Sequence, residues 1–324
     1  MPHPPTTHRT EHTITVAAPA RRVFDLIADV GRWPETFPPT VHVERVEHTE
    51  PADGSAAEER IRIWATANGE VKTWTSRREL DHDRLRVSFR QEVSQPPVAA
   101  MGGEWIVEPV DDVRTRIRLL HDFQAVGDDP GNVAWIERAV DRNSGAELDA
   151  LRTAAERTGD AEDLTLTFED TVEVPAGIEA AYTFVDRADL WPERLPHVAR
   201  ALLEEDVPGI QTLEMETRAP DGSTHTTRSV RICFPDERIV YKQLHTPALM
   251  TAHTGRWLFE EDADGARITS VHTVVLDEKA VTSVLGPDAT VADARVFVRD
   301  VLGRNSTTTM EHAAAHARDG APGA

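Results

Sequence analysis

Arg32-Trp33-Pro34-Glu35-Thr36-Phe37-Pro38 comes back as Leu190-Trp191-Pro192-Glu193-Arg194-Leu195-Pro196. Working outward from this pair, Arg142-Asn143-Ser144 returns as Arg304-Asn305-Ser306, Trp105 as Trp257, and His121 as His272. The offsets run from 151 to 162 in a chain of 324 residues. So long a period describes two whole domains, not a solenoid of small units, and the length agrees at about 100–200 residues per domain. The organisation expected is a disordered tail over 1–10, a domain over 11–158, a linker over 159–163, a second domain over 164–318 and a disordered tail over 319–324.

Both copies follow one order of elements. In the first, residues 11–17 alternate as a strand, and Pro19 opens a short helix to 29 with Val23, Phe24 and Ile27 on its apolar face. A second short helix surrounds 33–37. Strand patterns follow at 41–49, 59–65, 71–80, 84–93, 104–108 and 114–125, separated by turn formers such as Asn68-Gly69. A long helix over 132–157 closes the copy, with Ile136, Ala139, Val140, Leu148 and Leu151 apolar; its counterpart is expected at 291–317. The fold class is therefore α+β. An antiparallel sheet must bury one face, and only the long helix is large enough to cover it. A sheet curled around one helix leaves an internal cavity suited to an apolar ligand.

Composition narrows the function. Lys and Arg number 35 against 56 Asp and Glu, a net charge of −21. A nucleic acid would be repelled at long range, so no such partner is expected. No apolar run reaches the roughly 20 residues that span a bilayer, and the N-terminus lacks the apolar core of a secretory signal. No membrane association is expected, and the compartment is expected to be the cytoplasm. One cysteine, Cys233, excludes an internal disulfide and a cysteine-built zinc site. The 14 histidines show no HExxH or other compact ligand spacing, so neither metal nor organic cofactor is expected.

Period-two alternation assigns the strand faces. Over 84–93, Leu85, Val87, Phe89, Gln91 and Val93 should point in; over 114–125, Ile117, Leu119, His121 and Phe123 should. The strand at 71–80 puts Trp74, Ser76, Arg78 and Leu80 on one face, and Thr227, Ser229, Arg231 and Cys233 match them in the second copy, although Val230 and Ile232 lie opposite. His121 and His272 are thus titratable groups on apolar faces. Asn143 and Asn305 are expected within the inner stripe of each closing helix, where an amide must find a partner.

The Trp-Pro-Glu turn, the Trp74-x-Ser76-x-Arg78 strand and the Arg-Asn-Ser of the last helix resemble the aromatase/cyclases of bacterial type II polyketide synthases. The repetition of these motifs resembles that family's didomain branch over nearly the whole chain. The resemblance implies two tandem helix-grip domains of the START/Bet v 1-like (SRPBCC) type. It implies an enzyme that directs the first-ring aldol, between C7 and C12, and the dehydrations that aromatise it. The substrate implied is a ketoreduced poly-β-ketone, tethered through phosphopantetheine to an acyl carrier protein; other synthase subunits would be further partners. In related single-domain members the strand Arg is a key active-site residue, which carries to Arg78 and, by repeat, Arg231; an inward His on the last strand carries to His121 and His272. Thr227 departs from the pattern at the place of Trp74.

The residue types suit that chemistry. A desolvated guanidinium donates hydrogen bonds to a forming alkoxide without losing its charge. A neutral imidazole takes a proton from carbon or returns one to a leaving hydroxide; Ser76 and Ser229 are further candidates. Aromatic walls, Trp33, Phe37, Trp74, Phe89, Trp105, Trp191 and Trp257, with Thr227, Asn143 and Asn305, would hold the chain in one bend. The plainer readings stay open: Arg78 in a buried ion pair with a Glu, the histidines and serines bonded to backbone, the tryptophans as core. A non-catalytic carrier of an apolar molecule and a scaffold of the synthase are the alternative functions. For an acidic carrier protein, Arg21, Arg22, Arg194 and Arg200 are candidate docking residues.

Overall fold

The computed structural model describes residues 5–49, 56–67, 69–157, 164–175, 177–218, 222–263 and 265–320. The expected linker at 159–163 lies outside them, as do 1–4 and 321–324 of the expected tails. The chain divides into two units, Met1–Thr158 and Gly159–Ala324.

The first unit runs β1 (His8–Val16), α1 (Ala20–Ala28), α2 (Trp33–Thr36), β2 (Thr40–Thr49), β3 (Ala57–Ala67), β4 (Glu70–Asp81), β5 (Arg86–Gln91), β6 (Val98–Asp111), β7 (Arg114–Ala125) and α3 (Pro130–Ala155). The sheet is antiparallel in the order β1-β7-β6-β5-β4-β3-β2, a meander whose last strand also takes β1. Asp129 caps α3 by accepting a hydrogen bond from the Asn132 amide at 2.9 Å, and Pro130 starts the first turn. Val23, Phe24 and Ile27 of α1 are fully buried with Leu148 and Leu151 of α3 and with Ile117 and Leu119 of β7. Each side chain of this size contributes about 1.5–3 kcal/mol on burial.

The second unit repeats the plan: β8 (Thr165–Val174), α4 (Ile178–Asp186), α5 (Trp191–Arg194), β9 (Val198–Val207), β10 (Ile210–Arg218), β11 (Thr224–Phe234), β12 (Arg238–His245), β13 (Met250–Asp262), β14 (Gly265–Leu276), α6 (Val281–Leu285) and α7 (Val291–Gly320). Its sheet order, β8-β14-β13-β12-β11-β10-β9, is that of the first.

Some expectations change. β1 begins at His8 and α7 runs to Gly320, so ordered structure reaches further at both ends than 11–318. Val93 does not point in; it is 65 % exposed, because β5 ends at Gln91. Leu85 precedes β5 with φ 54°, in a left-handed turn, yet still packs against the core. Val230 and Ile232 are buried although they lie on the face opposite Arg231.

Candidate active site

The Trp-Pro-Glu turn and the Ser-x-Arg strand meet at one place in each unit, the C-terminal end of the first helix. There the last carbonyls have no partner within the helix. Trp33 Nε1 donates to the Ile27 carbonyl at 3.1 Å, and Arg78 Nη2 donates to the same carbonyl at 2.9 Å. In the second unit Trp191 Nε1 donates to the Phe184 carbonyl at 3.2 Å, while Arg231 donates to the carbonyls of Val185 and Asp186 at 2.7 and 3.2 Å. Each guanidinium also lies over its tryptophan, 4.9 Å from the Trp33 ring centroid and 5.5 Å from that of Trp191. The negative end of the helix dipole favours a cation at this spot.

Both arginines are buried, Arg78 at 3 % and Arg231 at 2 % exposure. Arg78 forms an ion pair with Glu59, Nη1 to Oε1 at 2.9 Å. Burial lowers the Arg78 guanidinium to about 10, while the Glu59 carboxylate pulls it up. The second unit has Gln211 at the register position of Glu59, opposite Arg231. The Gln211 amide is held by Asp186 and Glu205.

The strand register puts the arginine and the histidine on one rung of the sheet. In the first unit it reads Arg78–Phe89–Gly103–His121 across β4 to β7; in the second, Arg231–Tyr241–Gly255–His272 across β11 to β14. The glycine is required. A Cβ at Gly103 would stand 2.6 Å from Phe89 Cζ, and one at Gly255 2.3 Å from the Tyr241 hydroxyl oxygen. Phe89 therefore meets His121 edge-on at 5.6 Å, and Tyr241 reaches His272 with its hydroxyl 3.0 Å from Nδ1. Burial pushes His121 and His272 down to about 4 and His253 to about 3, so all three imidazoles are neutral at neutral pH.

A chamber opens in the second unit between β10–β14 and α7. Its empty space, mouth included, is about 820 Å³. Trp191, Trp257, Leu213, Met215 and Leu302 supply apolar wall; Thr227, Ser229, Arg231, Tyr241, His253, His272 and Asn305 supply polar groups. Thr227 stands where the first unit has the bulkier Trp74, which packs beside Ile61 and Ile63.

The remaining expected residues fall as follows. Trp33, Phe37 and Trp105 form an aromatic run, with centroids 5.5 and 6.4 Å apart. Ser76 is buried and donates to the Arg90 carbonyl at 3.1 Å, so its hydroxyl is engaged with backbone. Asn143 is exposed and does not belong to the inner stripe. The helix repeat instead brings in Ser144, 1 % exposed, with Ile136, Val140, Leu148 and Leu151. Glu147 shares that face; it keeps some exposed surface, yet burial of its carboxyl raises it to about 7. Of the docking candidates, Arg21 pairs with Asp25, Arg22 donates to the Arg157 carbonyl, Arg194 lies over the Phe184 ring and Arg200 sits near Glu214 and Glu216.

Glu59, Glu147, Tyr241 and His253 escaped the sequence reading, and Ser270, which shares the inward face of His272, was not given a role. Their signal was present: each is a polar residue in phase with an apolar face, as in Ala57-x-Glu59-x-Ile61-x-Ile63 and His253-x-Gly255-x-Trp257.

Fold and site thus define an α+β unit built twice, each copy carrying a buried arginine and a histidine on one sheet rung, with a chamber beside them in the second. The model of the family described as polyketide cyclase / dehydrase and lipid transport matches residues 7–156. The granaticin polyketide synthase bifunctional cyclase/dehydratase of Streptomyces violaceoruber is 50% identical over 96% of this chain and 94% of its own. The actinorhodin counterpart from Streptomyces coelicolor is 50% identical over 97% and 98%. Among solved structures, the di-domain ARO/CYC BexL of the BE-7585A biosynthetic pathway superposes with a TM-score of 0.88 at 55% identity, covering 97% of this chain and all of its own. StfQ of the steffimycin pathway gives 0.82 at 38%, covering 96% and 98%. The chain belongs to the di-domain polyketide aromatase/cyclase family of type II polyketide synthases.

Proposed function

We propose that this enzyme folds a ketoreduced poly-β-ketone, tethered to an acyl carrier protein, closes its first ring between C7 and C12 by an intramolecular aldol, and dehydrates it to the aromatic state. The observation that carries the reading is the second unit's chamber: an aromatic-walled space holding a guanidinium and neutral imidazoles, in a chain half identical to named bifunctional cyclase/dehydratases.

Arg231 polarises the accepting carbonyl and stabilises the alkoxide that forms, an interaction strengthened by the low dielectric of the chamber. His272, neutral near pH 7, removes a proton from the carbon between two carbonyls, a step typically worth ~10²–10⁴ in rate. Arg78 and His121 hold the same places in the first unit. Poly-β-ketones react unaided, so Trp191 and Trp257 act chiefly by bringing two chosen carbons into near-attack distance. The paired arginines of the docking candidates would exchange their own carboxylates for those of the carrier, which makes turnover sensitive to ionic strength. A passive lipid carrier would gain nothing from so many polar groups in its wall.

Reconstitution with a minimal synthase and a ketoreductase tests the reading. Wild type should yield the C7–C12 aromatic product, and Arg78→Ala and Arg231→Ala should divert material to spontaneously cyclised shunt products. Unchanged ring pattern in both variants would overturn the assignment.

A further inference from the structure

The second unit contains a cluster of hydrogen-bonding side chains that the first lacks. His272 sits at its centre: the Tyr241 hydroxyl and His253 Nε2 each lie 3.0 Å from His272 Nδ1, and the Ser270 hydroxyl lies 3.0 Å from Nε2. Phe168 stacks on one face of the His272 ring at 4.9 Å, and the His253 ring stacks at 5.3 Å, so the imidazole is fixed in orientation. All four polar residues of the cluster are buried. Tyr241, His253 and His272 line the chamber, whereas Ser270 is enclosed behind it.

Two neighbours compete for Nδ1, which offers one lone pair or one proton and never both. Whichever of Tyr241 and His253 is not bonded there turns its hydrogen-bonding capacity to the chamber. Ser270 can donate to Nε2 or accept from it, so both tautomers of His272 are satisfied. In register, the first unit carries Phe89, Met101 and Leu119 where the second has Tyr241, His253 and Ser270. His121 consequently has none of these three partners, and its Nδ1 is buried without a hydrogen bond.

We propose that Tyr241 is a further catalytic residue of the second unit's chamber, exchanging protons with the catalytic His272 while His253 and Ser270 position that histidine, and that besides ring closure this chamber performs the dehydration of the β-hydroxy ketone it leaves. The inference rests on the function proposed above. Tyr241 Oη takes the proton from the carbon between the ketone and the carbinol while its own proton passes to His272 Nδ1. The electron pair of the broken C–H bond delocalises onto the ketone oxygen, which Arg231, one strand from Tyr241 on the same rung, stabilises. When the C–O bond breaks, Tyr241 gives its proton to the departing hydroxyl, His272 returns the Nδ1 proton, and water leaves with a carbon–carbon double bond formed. Enzyme and protons return to their starting positions.

The test uses the full chain, reconstituted as above, with the fraction of carrier-bound product that retains the hydroxyl measured against the aromatised fraction. Tyr241→Phe, the residue of the first unit, should lower the rate of aromatisation at least tenfold and accumulate the ring-closed hydroxy product. Ring position should be unchanged and the thermal midpoint close to wild type. His253→Met, again the first unit's residue, should lower aromatisation less, and should shift its pH profile, which a merely structural role would not do. Deuterium uptake at the carbon between ketone and carbinol, followed in D₂O, should fall in parallel with the loss in Tyr241→Phe. Aromatisation at the wild-type rate in both variants would overturn this proton exchange while leaving the functional reading intact. A wild-type chain that alters neither ring closure nor dehydration would overturn both.

Discussion

Glu59→Ala should destabilise the first unit by about 3 kcal/mol. Glu59 and Arg78 are both shut off from solvent, with side-chain exposures of 0% and 1%, and they lie 2.9 Å apart. Breaking a buried pair by removing one partner costs about 3–5 kcal/mol, since the other charge is left uncompensated. The lower figure is expected because Arg78 keeps its hydrogen bonds to the Ile27 and Ala28 carbonyls and its contact with the Trp33 ring. Arg45, which also binds Glu59, is 45% exposed, so losing that contact adds under about 1 kcal/mol. At about 2–4 °C per kcal/mol for a domain of this size, the first unit's melting midpoint should drop by about 6–12 °C. Hydrogen exchange of β3 and β4 amides along a urea series reads that unit separately. Glu59→Ala combined with Arg78→Leu removes both charges and should recover most of the loss. A cost below about 1 kcal/mol for the single variant, or no recovery in the double, would refute the reasoning.

Acidification should weaken the second unit before the first. His272, held near 4 by burial, stays neutral when the unfolded chain already binds a proton below 6.5. Its contribution is therefore intact above pH 6.5 and drains by up to about 3 kcal/mol as pH falls toward 4; His253 acts in the same sense. In the first unit His121 behaves likewise, but Glu147, raised to about 7 from an ordinary 4.5, works against it. Its contribution is present below 4.5 and fades as pH rises through 7. Hydrogen exchange at pH 7 and 4.5 should show the larger loss of protection in the second unit, and equal losses would contradict this. Gly255→Ala should cost about 1–3 kcal/mol and displace the Tyr241 ring, since the new methyl would stand 2.7 Å from the Val271 carbonyl oxygen as well as against Tyr241; an unchanged urea midpoint would count against it. Asn143→Ala, at an exposed site, should stay within about 0.5 kcal/mol of wild type, whereas Ser144→Leu, at a buried one, should lose about 1–3 kcal/mol by urea titration.

The inward phase of Arg78 and His121, and of Arg231 and His272, was legible because a strand has a period of two and an apolar run fixes which face turns in, whereas the rung that joins them was not. The doubling was legible because Trp-Pro-Glu carries a physical task, satisfying a carbonyl at a helix end, that both copies must meet. Asn143 shows where such reading fails. Neighbours on a helix point about 100° apart, so a motif located to within one residue exposes the wrong side chain, and Ser144 is the inward one. Val93 failed for a different reason: the strand ended before it. The partner of Arg78 lies on another strand, and so does each partner of His272. Such pairings depend on register between segments far apart in the chain, which alternation within one segment does not contain.

The most direct measurement is a crystal structure of the chain with a non-hydrolysable aromatic ketone that mimics the first-ring product. The account predicts the ring between Trp257 and Tyr241, with its ketone oxygen within hydrogen-bond distance of Arg231. A ligand bound only on the outer surface, with the second chamber empty at saturating concentration, would contradict it.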